Sequence, residues 1–323
     1  MNTFVTATVN PSTGGFISIT ISTPPILNSG GLAATGNQFL YVAAGTAIYG
    51  YSINSTTGAL TTLAGSPFLL AEGRSPQQLV TVPDAHFLYA ADTAEGIDAF
   101  QVDSSTGVLS TVTGSPFGTC KGYDLAVDST GSFLYATDYV NGQILAYTIG
   151  PTGTLANLPG SPFALPGLAT SKPVGIVESD NFLYVALSAL NQIAAFSIDP
   201  TTGALSFVPG SPFPAGKGPV NLVSTGSFLY AVNESNGSVS GYSLNSSIGA
   251  LTAIPGSPFF LDIATLAADP TSKYLYLSSS VGVSGYTIDP ATGVLTAGPA
   301  SVSNDGSLWM TVVQLPDAQA KQN

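Results

Sequence analysis

Five copies of Gly-Ser-Pro-Phe begin at Gly65, Gly114, Gly160, Gly210 and Gly256, and six aromatic-Leu-Tyr runs begin at Phe39, Phe87, Phe133, Phe182, Phe228 and Tyr274. This period of 46–49 residues, with several short apolar runs in each repeat, predicts an all-β propeller. In the fourth repeat the runs 173–178, Phe182–Leu187, Gln192–Ile198 and 204–208 are rich in Val, Ile, Phe and Tyr, and Gly, Pro, Asn and Asp separate them. Such runs form antiparallel strands, here called a, b, c and d. Each blade is expected to hold four of them.

Between c and d stands an Asx-x-x-Thr-Gly pattern or a close variant, as in Asp199 to Gly203, Asn54 to Gly58, Asp103 to Gly107, Asn245 to Gly249 and Asp289 to Gly293. An Asx side chain bonds backbone two residues on, and the glycine takes a positive φ at the turn's exit. These acids are therefore read as hairpin devices rather than metal ligands. Gly-Ser-Pro-Phe follows strand d and starts the crossing to the next blade, because proline cannot donate to a ladder. Its Phe is expected to fill the wedge between blades.

The two ends complement each other. Val9 to Phe16 matches Ile198 to Leu205, so the sequence begins inside a strand c, while Val313 to Ala318 matches Val80 to Ala85, the end of a strand a. The expectation is seven blades in one domain over residues 1–323, six of them intact. The seventh is shared by residues 4–20 and 308–315. Strand b of the shared blade is missing from the sequence, so the natural parent is expected to carry about ten more residues ahead of Met1, a number set by strand and turn lengths.

Only 7% of residues are charged, against about 25% in ordinary domains. The net charge of −12 disfavours nucleic acid and anionic membranes, which need clustered Lys and Arg. No run of about 18 apolar residues is present, so no membrane insertion is expected. Cys120 is the only cysteine and His86 the only histidine, which excludes an intrachain disulfide, a cysteine zinc cluster and a histidine metal site. No cofactor and no metal is expected, although calcium held by Asp and backbone carbonyls is left open. Residues 1–20 lack the pattern of a signal peptide. A monomer that is secreted, periplasmic or at the cell surface is expected.

The repeated aromatic-Leu-Tyr and Asx-x-x-Thr-Gly-x-Leu patterns resemble the seven-bladed lactonase-type propellers, the family of bacterial 6-phosphogluconolactonase and the muconate-lactonizing propeller enzyme. The resemblance covers nearly the whole chain and extends to non-enzymatic surface-layer propellers. In the phosphogluconolactonase-like members a Gly-Pro-Arg-His sequence precedes a strand ending in Asn-Glu, and these polar residues line the active cleft. Asn233 and Glu234 match that pattern, whereas Val220 and Asn221 stand where the Arg and His would be. The inner strand at Leu308 to Val313, with Trp309, resembles the family's last strand; Trp309 is read as blade packing before sugar stacking.

In propellers the d-to-a and b-to-c connections share one face around the channel mouth. Four of the six basic residues, Arg74, Lys121, Lys172 and Lys217, fall just before inner strands, and Glu72, Glu95, Glu234, Asp92 and Asp138 fall on the same face. A mouth of this kind suits a small anionic or carbonyl ligand such as a sugar lactone or sugar acid. Lactone hydrolysis needs a base and an oxyanion partner. Glu234 or Asp138 is the candidate base and Arg74 or Lys172 the oxyanion partner. Lys121, Lys217, Asn233, Glu72, Asp92 and Glu95 complete the expected ligand-binding set. His86 lies between strands a and b, on the opposite face, and is read as a bystander. The competing reading is a non-catalytic secreted or cell-surface propeller that binds or scaffolds a partner, favoured by the replaced Arg and His.

Overall fold

Strand b is the densest part of every repeat. Phe39–Ala44, Phe133–Asp138, Phe182–Leu187, Phe228–Asn233 and Tyr274–Ser279 are buried along their whole length, because a central strand of a sheet packed on both faces admits no polar alternation. The computed structural model describes residues 4–9, 16–22, 29–71, 73–92, 96–119, 122–167, 170–261, 263–279, 282–303 and 312. Over these, six four-stranded antiparallel sheets run in the order a-b-c-d, and a hairpin pairs Phe4–Val9 with Phe16–Ser22. The six inner strands Ser29–Thr35, Pro76–Thr81, Gly122–Val127, Pro173–Ser179, Pro219–Ser224 and Thr265–Ala268 pack one against the next, which makes the chain an all-β propeller. The fourth repeat has strands Pro173–Ser179, Phe182–Leu187, Gln192–Ile198 and Leu205–Phe207, each within one residue of the expected bounds. The N-terminal hairpin pairs the two segments expected as strands c and d. Of 308–315 only Val312 is among the described residues, and Trp309, Cys120, Lys121, Glu72 and Glu95 lie outside them.

The repeated residues bind blade to blade. The hydroxyls of Tyr41, Tyr89, Tyr135, Tyr184 and Tyr230 donate to the carbonyls of Gly107, Gly153, Gly203, Gly249 and Gly293 at 2.7, 2.9, 2.8, 3.1 and 2.7 Å. Each bond joins strand b of one blade to the c-d hairpin of the next. The hairpin is fixed in turn by its Asx side chain, as where Asp199 Oδ1 accepts from the N–H groups of Thr201 and Thr202 at 2.9 and 2.8 Å. Backbone donors of this kind hold the Asp103 and Asp199 carboxyls below the usual carboxylate range, and the Thr292 hydroxyl followed by backbone donors does the same for Asp289.

Gly-Ser-Pro-Phe does more than end a strand. The Ser66, Ser115, Ser161, Ser211 and Ser257 hydroxyls accept from the N–H groups of Gly50, Ala99, Ala146, Ala195 and Gly241 on strand c, at 2.8–3.0 Å. Each serine thus supplies a ladder partner where strand d has already left. The prolines follow cis peptide bonds. The Phe then turns the chain back to strand c before it crosses, pairing Phe68 with Ile48, Phe163 with Ile144, Phe213 with Ile193 and Phe259 with Val239. Phe163 packs against a cluster holding Tyr135 and Ile144 of blade 3 and Leu183, Val185 and Phe196 of blade 4, the expected wedge. Blade 6 has Gly298-Pro299-Ala300 in place of the motif, and there d and the returning segment merge into one strand, Leu295–Ser303.

Candidate functional site

A register shift interrupts the a-b pairing near the mouth end of strand a in blades 1 to 5. The residue at this bulge, just before the Leu or Ile of the strand, is Gly31, Gln78, Asp124, Gly175 or Asn221, with Thr265 in the equivalent place of blade 6. A bulge re-aims its side chain. Here it aims along the ring of inner strands: Asp124 Oδ2 accepts from the N–H of Ile176 in blade 4 at 3.0 Å, and Asn221 Oδ1 from the N–H of Leu266 in blade 6 at 3.1 Å. Where the residue is Gly175 the backbones meet instead, and a Cβ there would fall 2.4 Å from the Val220 carbonyl oxygen.

The cations and carboxylates expected at the mouth have different fates. Arg74 is 8% exposed, with Nη1 3.9 Å from Asp92 Oδ2 and Nη2 3.6 Å from Asp98 Oδ1. Asp92 also accepts the Ser75 N–H at 2.8 Å. Burial pushes the Asp98 carboxyl up to about 6, opposed by Arg74 and reinforced by Asp92. Arg74 and Asp92 therefore belong to a buried charge cluster inside blade 2. Asp138, proposed as a base, is buried and accepts four donors: the N–H groups of Val140 and Asn141, the Asn141 amide at 2.7 Å and the Gln143 amide at 2.9 Å. Its lone pairs anchor the b-c turn. Asn233 is fully buried, its amide donating to Ser238 and Ser240 at 3.0 and 2.9 Å, with an Oδ1 that meets no donor among the described residues. Glu234 and Lys217 are both exposed, side by side, because Glu234 N–H donates to the Gly218 carbonyl and Ser235 N–H to the Lys217 carbonyl. His86 Nδ1 lies 3.0 Å from Asp84 Oδ2 in the exposed a-b turn.

Lys172 joins a cluster of groups the charge map missed. Its Nζ stands 4.7 Å from the centroid of the Tyr139 ring, and the Tyr139 and Tyr123 rings are 5.4 Å apart. Tyr123 is 41% exposed, unusual for a tyrosine on an inner strand, and immediately precedes Asp124. Lys172 has a left-handed φ of +51° directly before Pro173, and the Ser188 N–H and hydroxyl clamp its carbonyl at 3.2 and 2.8 Å. A lysine held so against its backbone preference is placed there by its surroundings. Asp124 sits between Gln78 of blade 2 and Ile176 of blade 4, and burial lifts its carboxyl to about 7 against the hydrogen bonds from Ile176, Leu125 and Gln78. Tyr123, Asp124 and Gln78 carry no motif; the one available signal was that 124 places a carboxyl in the slot that 221 fills with an amide.

A family model described as lactonase, 7-bladed β-propeller, matches residues 39–161 and 166–260. The chain belongs to this lactonase family. Among solved structures the lactonase-family chain is similar to the periplasmic gluconolactonase of Pseudomonas aeruginosa, at 16% identity over 95% of this chain and 94% of that one, TM-score 0.77. It is also similar to a Bacteroides fragilis protein provisionally assigned as a 6-phosphogluconolactonase, at 18% identity over 93% and 91%, TM-score 0.76. A Lactobacillus plantarum protein is similar at 17% identity over 94% and 97%, TM-score 0.75. Identities this low speak for the fold. A search of curated proteins finds no match. Among the described residues no helix is long and apolar enough to cross a membrane, and no group of three or more His, Cys, Asp or Glu is placed to hold a metal.

Proposed function

We propose that this lactonase-family propeller binds a sugar lactone at the channel mouth between blades 3 and 4 and hydrolyses its ester bond. The observation that carries the reading is the wall of Tyr123, Tyr139 and Lys172 beside Asp124, an exposed aromatic face next to a cation in a chain with six basic residues. Tyrosine faces stack on the C–H face of a sugar ring, and an ammonium group balances a carboxylate or a developing oxyanion. Glu234 and Lys217 lie exposed on the neighbouring blade 5. Gluconolactone hydrolysis, followed by proton release, should be measurable above the spontaneous rate, and Tyr123→Ala should lower kcat/KM about tenfold, the worth of one stacked aromatic. An unchanged rate in that variant would remove the site from blades 3 and 4. The non-catalytic reading keeps one specific support: Asn221, where the related sequences have His, is engaged in bridging blades 5 and 6. D-Gluconate raising the melting temperature without any lactone turnover would favour it.

We also propose that the ring closes through a seventh blade made from the N-terminal hairpin and residues 308–315. Supporting this, Tyr276 in blade 6 is 1% exposed and occupies the slot from which the five preceding tyrosines reach the next hairpin. The next hairpin of the repeat in sequence is Asn10 to Gly14. Closure of this kind protects sheet edges. Amide hydrogen exchange over 308–315 should then be as slow as in strand a of blade 3; fast exchange there would refute the closure.

A further inference from the structure

Asp124 and Asn221 form an internal comparison. Both occupy the bulge of an inner strand, and both accept an N–H from the inner strand of the next blade, Ile176 for one and Leu266 for the other. A neutral amide is therefore sufficient to bridge inner strands. A carboxylate in the same position must be desolvated, which disfavours its charged form, and it receives no ion pair in return among the described residues. Bridging does not account for the acid.

Resting on the reading of the mouth as a lactone-hydrolysing site, we propose that Asp124 is its general base, taking the proton from the attacking water and returning it to the leaving ring oxygen. In the first step the carboxylate accepts a proton as the water oxygen bonds to the lactone carbonyl carbon, leaving an oxyanion that Lys172 faces. In the second the oxyanion collapses, the ring C–O bond breaks, and the Asp124 proton passes to the departing alkoxide. The product is the hydroxy acid and the carboxylate is restored, so atoms and charge balance with water as the only co-reactant. The site suits this role by position. Asp124 lies half-buried in the channel wall, next to the exposed Tyr123 ring, with Gln78 and two backbone N–H groups fixing the carboxylate plane. Fixed donors preorganise a base.

Its titration supports the geometry. Burial lifts the group to about 7, where it both accepts and returns a proton at neutral pH. The elements packed against its strand are strands a and b of blade 2, strand b of its own blade and strand a of blade 4. Their titratable groups are Tyr89, Asp92, Tyr135, Asp138 and Glu178, with Tyr123 beside it and Lys172 ahead of blade 4. None of these ranks among the causes of the shift.

Two measurements on the full chain test the proposal with gluconolactone as the probe. The kcat/KM of the unsubstituted protein should show a limb with a midpoint near pH 7. Asp124→Asn should lose about a hundredfold or more in kcat with that limb, yet melt at pH 8 no lower than the unsubstituted protein and keep its affinity for D-gluconate, since Asn221 shows that an amide bridges. Asp124→Glu should recover part of the rate. An Asn variant with the rate and limb intact overturns the inference and leaves the lactonase reading standing. Binding of gluconate without turnover by the unsubstituted protein overturns both, and a flat pH profile between about 6 and 8 overturns the inference even if the Asn variant does not fold.

Discussion

Replacing Gly203 by alanine is expected to lower the unfolding free energy by about 3 kcal/mol, the sum of a left-handed backbone term of about 1 and an overpacking term of about 2. Gly203 closes the c-d hairpin of blade 4 at φ +70°. An added Cβ would lie 2.6 Å from Phe133 Cδ1 and 2.8 Å from Leu158 Cδ1, both of blade 3. The carbonyl of the same residue accepts the Tyr135 hydroxyl at 2.8 Å, so relieving the clash by moving the hairpin stretches the bond that joins the blades. Gly36 is the control, because it has φ +56° and nothing within 4 Å of its Cβ position. Gly36→Ala should therefore cost only the backbone term, about 1 kcal/mol. Urea unfolding of the two variants separates the contributions, and equal midpoints would show that the hairpin glycine is kept for its turn alone. Phe133→Leu in the Gly203→Ala background should recover part of the loss, since the two positions share one contact.

The propeller was readable because each repeated residue has a reason that lies in its own repeat or its neighbour. Tyr135 needs an acceptor, Gly203 gives one, and both recur at each step of the period, so the pattern reports contacts that the sequence never places side by side. The site was less readable because charge was read by address alone. Arg74, Lys172 and Lys217 stand at equivalent places before inner strands, but only Arg74 meets a second carboxylate, Asp98, from a strand c 24 residues on, which draws it into the blade. The partners of Asp138 were illegible for a similar reason: the amides of Asn141 and Gln143 are near in sequence, but nothing in their spacing says that both turn back onto one carboxylate. Asp124 was hidden in an apolar run, and its meaning came from comparison with Asn221 once both were seen at the same bulge.

The protein is expected to be more stable at pH 5 than at pH 8. Asp98 and Asp124 have folded-state values raised to about 6 and about 7 from the ordinary 3.8, so between these values the folded state binds more protons than the unfolded chain. Stability from these groups is complete below the unfolded value and is lost as pH rises through the folded values. Below about pH 4 the trend reverses, because Asp103, Asp199 and Asp289 are held low by their hairpin donors and lose that stabilisation on protonation. The optimum therefore falls between about pH 4 and 6. After discounting Asp124 for its partial exposure to solvent, the two groups together are expected to contribute about 2 kcal/mol between pH 5 and 8, or about 3 °C in Tm. Thermal melts of the unsubstituted protein and of the double variant Asp98→Asn, Asp124→Asn decide the matter, since an amide at each position removes the titration but keeps the shape. The double variant should be the more stable protein at pH 8 and should lose most of the rise toward pH 5. A rise of the same size in both proteins would place its origin in other carboxyls, among which Glu178, also raised by burial, is the first to substitute.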